Sequence, residues 1–368
     1  MPGRYRQAAH RRSARHPAAR RHSGPSGAQN NRAHQGSKRS FNRERRHMPD
    51  WENPGEARQH EKYERLIVKA RQAPQMTTVV AHPCDESSLR GAVEAAEDGL
   101  MRPVLVGPAE KVRTVAKAHA IDISPFELID APHSDAAAAK AVEIIREGRA
   151  DLLMKGSLHT DELMRAVTSS ATGLRTARRI SHVFVMDVPN YSETLFITDA
   201  AINIAPDLDA KRDIIQNAID LFTAIGLGTP RVAILSAVET VTSKIPSTID
   251  AAALCKMAER GQITGGILDG PLAFDNAIDP EAARIKGIRS EVAGRAQILV
   301  VPNLEAGNML AKNLTFLARA DAAGLVLGAR VPIILTSRAD NVRARLASCA
   351  VGVLFAEARR RAAPIQGG

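Results

Sequence analysis

Ser337-Arg338-Ala339-Asp340 follows the apolar run Pro332-Ile333-Ile334-Leu335-Thr336 and precedes a helical pattern from Asn341 to Arg361. The carboxyl end of a buried strand is where open α/β sheets bind their ligands. An arginine there can grip a phosphate through two parallel N–H bonds, which a lysine cannot do. Arg338 suits that task, and Ser337 can donate to or accept from a phosphoryl or acyl oxygen. Asp340 fits a cap on the following helix.

Lys155-Gly156-Ser157-Leu158-His159-Thr160 has the same strand-to-helix setting. Gly156 permits close backbone approach, Lys155 offers a point charge to an anion, and His159 carries a ring that titrates near neutral pH. The spacing is not that of a P-loop. Arg175, Arg178 and Arg179 cluster just before the apolar run Ile180–Met186. In a loop such a cluster is a solvated face; lining a cleft, it receives polyanions. Asp269 and Asp275 follow a further strand, in positions that suit either a divalent ion or turns and caps. HExxH, GxSxG, CxxC and GxGxxG are all absent, which disfavours a zinc enzyme or a dinucleotide fingerprint.

The elements that must position these residues alternate. Apolar runs at 77–81, 103–107, 126–129 and 151–154 are separated by helical patterns, which predicts a parallel sheet covered on both sides. Ser87 and Thr160 are the expected caps of two of the helices. At 181–186 and 194–198 the rhythm changes to two strands joined by a long loop, an antiparallel element. The run Ile298–Val301 leads through a turn at 303–308 into a helix from Met309. A turn of that kind onto a helix start is an anion-binding geometry.

Charged residues make up 24% and hydrophobic residues 44% of the 368, the balance of a water-soluble globular chain. No apolar run is long enough for a membrane helix. Aromatics are only 3%, leaving few platforms for base stacking. Cys84, Cys255 and Cys349 are too scattered for a zinc or disulfide framework and fit a reducing cytoplasm. The formal charge of +10 is local: residues 1–47 hold 12 Arg and one Lys against Glu44 alone, leaving 37 basic and 39 acidic residues elsewhere. That segment reads as a disordered basic extension, a transit peptide, or chain upstream of a start at Met48. Nucleic acid is expected as a partner only through this tail.

Seven ordered stretches together resemble the phosphate acetyltransferase and phosphate butyryltransferase family. They are 81–100, MKGSLHTDELM at 154–164, RISHVFVMDVP at 179–189, ITDAAIN at 197–203, DGPLAFDNAI at 269–278, 292–314, and PIILTSRAD at 332–340. The resemblance implies two α/β domains with mostly parallel sheets around a cleft, related to isocitrate and isopropylmalate dehydrogenases. The expected boundaries are 1–56 for the extension, 57–180 plus 324–368 for the first domain, and 181–323 for the second. It implies a cytoplasmic homodimer that uses acyl-CoA and phosphate as substrates, with no metal or redox cofactor. Ser337 and Arg338 match the family's Ser-Arg pair at the acyl phosphate. The acetyltransferase branch has an Asp base seven positions after that serine; here the residue is Ala344. Asp340 is the substitute carboxylate, and the departure also fits the butyryltransferase branch. Lys155, Gly156, His159, Arg178, Asn308 and Lys312 are the expected substrate contacts. A decarboxylating dehydrogenase of the same fold is the alternative enzyme class; it needs a metal-binding Asp cluster that the sequence lacks.

Overall fold

The computed structural model describes residues 60–336 and 341–362. Most of its strands are short apolar runs that bury both faces, so they show little polar alternation; the two at the sheet edges are partly exposed. In chain order they are β1 (Met76–Ala81), β2 (Met101–Gly107), β3 (Glu127–Asp130), β4 (Leu152–Lys155), β5 (Ser181–Asp187), β6 (Leu195–Thr198), β7 (Arg231–Leu235), β8 (Ile267–Leu272), β9 (Ile298–Val300), β10 (Asp321–Leu327) and β11 (Ile333–Ile334). One sheet holds all of them in the order β3-β2-β1-β4-β11-β10-β5-β6-β9-β7-β8. The pairings β11·β10, β10·β5 and β5·β6 are antiparallel. The others are parallel. This is a mixed α/β fold on a large, mostly parallel sheet.

The strand order divides at its antiparallel centre. Strands from the first half of the chain, β1 to β4, closed by β11 and β10 from near its end, form one half. Strands β5 to β9 form the other.

One face is covered by α1 (Glu61–Arg71), α2 (Glu86–Glu97), α3 (Ala109–Ala118), α6 (Leu208–Ala224), α7 (Pro246–Glu259) and α11 (Val342–Ala362), over a single continuous core. On the opposite face the core is split. The helices α4 (Ser134–Arg146) and α5 (Thr160–Thr168) cover the first half. The helices α8 (Phe274–Ile278), α9 (Pro280–Ile285) and α10 (Leu304–Leu317) cover the second. Side chains alternate between faces along each strand. Between the two helix groups, that face therefore carries Lys155, Leu335, Gly324, Ala322, Phe184 and His182.

Several expected boundaries shift for local reasons. Asp85, not Ser87, caps α2: its carboxylate accepts the Ser88 N–H at 2.8 Å. His159, not Thr160, stands at the N-cap of α5, and its N–H donates to Glu162 Oε2 at 3.0 Å. The stretch 303–308 is not a turn. Asn303 Oδ1 accepts the Ala306 N–H at 2.9 Å, so the helix opens at Leu304.

Candidate active site

Lys155 ends β4, and the chain then folds tightly onto the loop after β1. Gly156 N–H donates to Ala81 O and Ser157 N–H to His82 O, each at 2.9 Å. A Cβ on Gly156 would sit 2.5 Å from the His82 oxygen and closer still to that of Ala81, so no side chain fits. The Ser157 hydroxyl donates to His82 O at 2.8 Å and accepts from the Cys84 N–H at 3.2 Å. His82 Nδ1 lies 3.0 Å from the same hydroxyl. Burial, with Lys111 nearby, holds the His82 ring below its usual pKa. Burial also pushes the Cys84 thiol up to about 11, so it is no nucleophile at neutral pH. Lys155 Nζ donates to the carbonyls of Gly156 and Leu158 at 3.1 Å, stiffening the turn. His159 is exposed.

Parallel register sets Ile334 beside Met154, so Leu335 stands level with Lys155. Across the centre, Leu335 N–H donates to Gly324 O at 3.1 Å, and Gly324 pairs with Phe184. One row therefore runs Lys155–Leu335–Gly324–Phe184 along the strip between the helix groups. Ser337, Arg338 and Asp340 lie outside the described residues. The chain on both sides of them is tied to β10. Leu335 is bound as above, and Asn341 Nδ2 donates to Asp321 Oδ1 at 3.0 Å. Asn341 Oδ1 also accepts the Ala344 N–H at 2.8 Å, so Asn341 provides the helix cap expected of Asp340. Ala344 itself is buried in α11.

Asp321 also takes a hydrogen bond from His60. Its cross-strand neighbour Asp187 accepts the Tyr63 N–H at 3.2 Å. Lys62 Nζ stands 3.1 Å from Asp187 Oδ1 while its protons point to Val188 O and Tyr191 O, at 2.7 and 2.6 Å. Two buried carboxylates at one sheet edge are thus held by side chains and backbone from the start of α1. Sequence reasoning missed them, although an acid closing one apolar strand and another opening a second was a usable signal.

The remaining expected contacts do not gather at Lys155. Asn308 is on α10, across the strip, and its Nδ2 donates to Ala200 O at 3.3 Å. Lys312 is exposed one turn further on. Arg178 precedes β5, whose first residue is level with the beginning of β4, so it lies at the opposite sheet edge from Lys155. Its guanidinium is 3.4 Å from Asp220. The carboxylates after β8 act locally: Asp269 accepts the Gly270 N–H at 2.8 Å, and Asp275 pairs with Lys286 at 3.2 Å. Among the described residues no cluster of three or more His, Cys, Asp or Glu is placed to hold a metal.

His182 was also missed. It is buried, its ring meets Phe184 edge-on at 4.4 Å, and its Nδ1 has no hydrogen-bond partner among the described residues. A Cβ on Gly324 would lie 3.0 Å from its Nε2, so the glycine leaves room for the ring. Burial outweighs the nearby Asp199 carboxylate and lowers the His182 pKa from 6.5 to about 4. The unfolded chain therefore binds the extra proton between those values. The stabilising contribution is complete above pH 6.5 and is lost as the pH falls towards 4. Chemical denaturation should show wild-type stability falling on acidification by up to ~3 kcal/mol through this group, and a flatter dependence in His182→Gln. Equal slopes for the two proteins would contradict this.

A family model described as "Phosphate acetyl/butaryl transferase" matches residues 133–353. The phosphate acetyltransferase of Rhizobium meliloti is 76% identical over 307 residues, covering 83% of this chain and 97% of that protein. The phosphate butyryltransferase of Clostridium acetobutylicum is 39% identical over 294 residues, covering 80% and 98%. A branched-chain phosphotransacylase from Enterococcus faecalis V583 superposes with a TM-score of 0.67 at 27% identity, covering 77% of this chain and 99% of its own. A phosphotransacetylase from Streptococcus pyogenes shares the fold, with a TM-score of 0.69 at 24% identity over 80% and 98%.

Proposed function

Because this chain belongs to the phosphate acetyl/butyryl transferase family, we propose that it moves a short acyl group reversibly between coenzyme A and inorganic phosphate. Acetyl-CoA and phosphate give acetyl phosphate and coenzyme A. The observation that carries this reading is the 76% identity to a phosphate acetyltransferase over 97% of its length, which also favours acetyl over butyryl. The dehydrogenase alternative is set aside, since these full-length relatives are named as acyltransferases.

In the reverse direction, which consumes acetyl phosphate, the coenzyme A sulfur attacks the carbonyl carbon. The C–S bond forms, the bond between the acyl carbon and the bridging oxygen breaks, and phosphate leaves with that electron pair. Both substrates bind together, so the acyl group passes between them without an acyl-enzyme, and their joint positioning supplies much of the rate. Arg338 balances the charge of the leaving phosphate and Ser337 hydrogen-bonds the acyl phosphate. Asp340 takes the thiol proton. Lys155, Gly156 and His159 line one wall of the cleft, Asn308 and Lys312 the other, and Arg178 provides an outlying contact. Coenzyme A is a substrate here, and no metal or redox group enters these steps.

The strand order supports two lobes, 57–180 with 324–368 and 181–323, arranged as in isocitrate and isopropylmalate dehydrogenases. The three free cysteines fit a cytoplasmic protein. A homodimer is supported by α10, where Met309, Phe316 and Leu317 are 60%, 74% and 82% exposed at two-turn spacing. Phe316→Asp is expected to turn a dimer into a monomer by light scattering; an unchanged mass would remove α10 from the interface.

The purified chain should be assayed with acetyl-, propionyl- and butyryl-CoA, following phosphate-dependent release of the thiol. The expected result is turnover with the highest kcat/KM for acetyl-CoA. No phosphate-dependent release from any of the three would overturn the assignment. Asp340→Asn should lower kcat by about 10²–10⁴-fold, the usual worth of a general base. Unchanged turnover would leave the thiol proton to another group.

A further inference from the structure

Two cavities adjoin at the sheet edge opposite Lys155. The first, about 550 Å³, is lined by Arg175, Arg178 and Arg179 together with the start of α6. The second, about 600 Å³, shares Thr176 and Arg178 with it and is walled by Ile219, Leu327 and Phe355. Volumes of this size are those of small-molecule sites.

The first cavity is built around Arg179. The buried Asp199 carboxylate accepts the N–H groups of Ala201, Ile202 and Asn203, and Asn203 Nδ2 at 2.6 Å. Asn203, so fixed, accepts Arg179 Nε at 2.9 Å through its Oδ1. The Arg179 N–H is fixed separately by Asp213 at 2.9 Å. Backbone and Nε are both held, and among the described residues nothing takes the donors of the two terminal nitrogens, which are left for a ligand. A guanidinium oriented in advance loses little freedom on gripping a phosphate.

The acids of the two cavities are engaged elsewhere. Asp207 caps α6 through the Ala210 N–H, Asp209 and Asp213 pair with Arg212, and Asp220 pairs with Arg178. The guanidinium groups of Arg175 and Arg179 pair with no carboxylate among the described residues. In the second cavity the Arg359 guanidinium lies 5.9 Å from the Phe355 ring centre. A planar base has apolar walls there and a guanidinium to stack on.

We propose that the joined cavities bind a nucleoside polyphosphate, with its phosphates on Arg175 and Arg179 and its base on the Phe355 side. Two sources present this chemistry: a free nucleotide, or the adenosine 3′-phosphate 5′-diphosphate end of coenzyme A. The second rests on the acyl-transfer reading; the first does not.

The probe is ADP, titrated calorimetrically into the full chain, wild type and variants. Wild type should bind saturably. Arg175→Ala/Arg179→Ala should weaken binding at least about tenfold, as expected for losing charge-assisted phosphate contacts. Arg179→Lys keeps the charge but not the fork, and should lose most of the affinity even if the double variant folds poorly. No saturable ADP binding to wild type, or equal binding to the variants, overturns the proposal. The sources separate kinetically. If coenzyme A is the ligand, the variants raise KM for acetyl-CoA and leave acetyl-pantetheine unchanged. If a free nucleotide is, neither KM moves. Absence of phosphate-dependent turnover in wild type would refute the transferase reading alone, since ADP binding is read directly.

Discussion

Arg338→Ala is expected to lower kcat/KM for acetyl phosphate by about 10²–10³-fold, or roughly 3–4 kcal/mol of transition-state stabilisation. As the C–O bond breaks, charge builds on a phosphate that water would otherwise solvate. A guanidinium fixed beforehand meets that charge with two N–H donors and no reorganisation. The fold is seen on either side of 337–340, where Leu335 is bound to Gly324 and Asn341 to Asp321, both in β10. Arg338→Lys should recover little, because an ammonium cannot offer the fork. The melting temperature should stay near that of wild type in both variants. Turnover within threefold of wild type, in an assay able to resolve about tenfold changes, would place the charge balance on another residue.

Gly156→Ala should be as damaging by another route. The added methyl meets two backbone oxygens rather than a side chain that could swing away. Either β1 and β4 separate, or the turn carrying Lys155 and Ser157 is displaced. Overpacking of this sort costs about 1–3 kcal/mol or more, a fall in melting temperature of several degrees in a protein this size. Activity measured at low temperature, where the variant stays folded, should still be poor, because Ser157 no longer reaches the His82 carbonyl. A melting temperature and a turnover both equal to wild type would show that the loop after β1 yields.

Most of the sheet was legible because its strands declare themselves locally. Val79-Val80-Ala81 and Ile298–Val300 are apolar runs too short for helices, and the helices between them show their own period. Caps were less legible, since Ser87 and Asp85, or Asp340 and Asn341, are close rivals that only the packed structure separates. Gly156 was readable as a close approach, but what it approaches is 74 positions earlier, at His82. The position of Arg178 was not legible, for a longer-range reason. Its distance from Lys155 depends on the direction of β5, and that is set by pairing with β10, which the chain reaches far later. His182 gave no local sign at all, because its burial comes from strands on either side.

The closure of the first half-sheet by β11 has a consequence for how the protein is made. The ribosome delivers β4, ending at Lys155, well before β11 begins at Ile333, 178 residues later. At roughly 5–20 residues per second, the β4 edge waits unpaired for about 10–35 s. Leu152, Leu153 and Met154, fully buried in the finished molecule, stand in that edge. A nascent chain stalled anywhere in that interval presents an apolar strand open to a stranger's backbone. Messages cut short before codon 333 should therefore yield insoluble product, and translation speed through the second half of the gene becomes a determinant of yield.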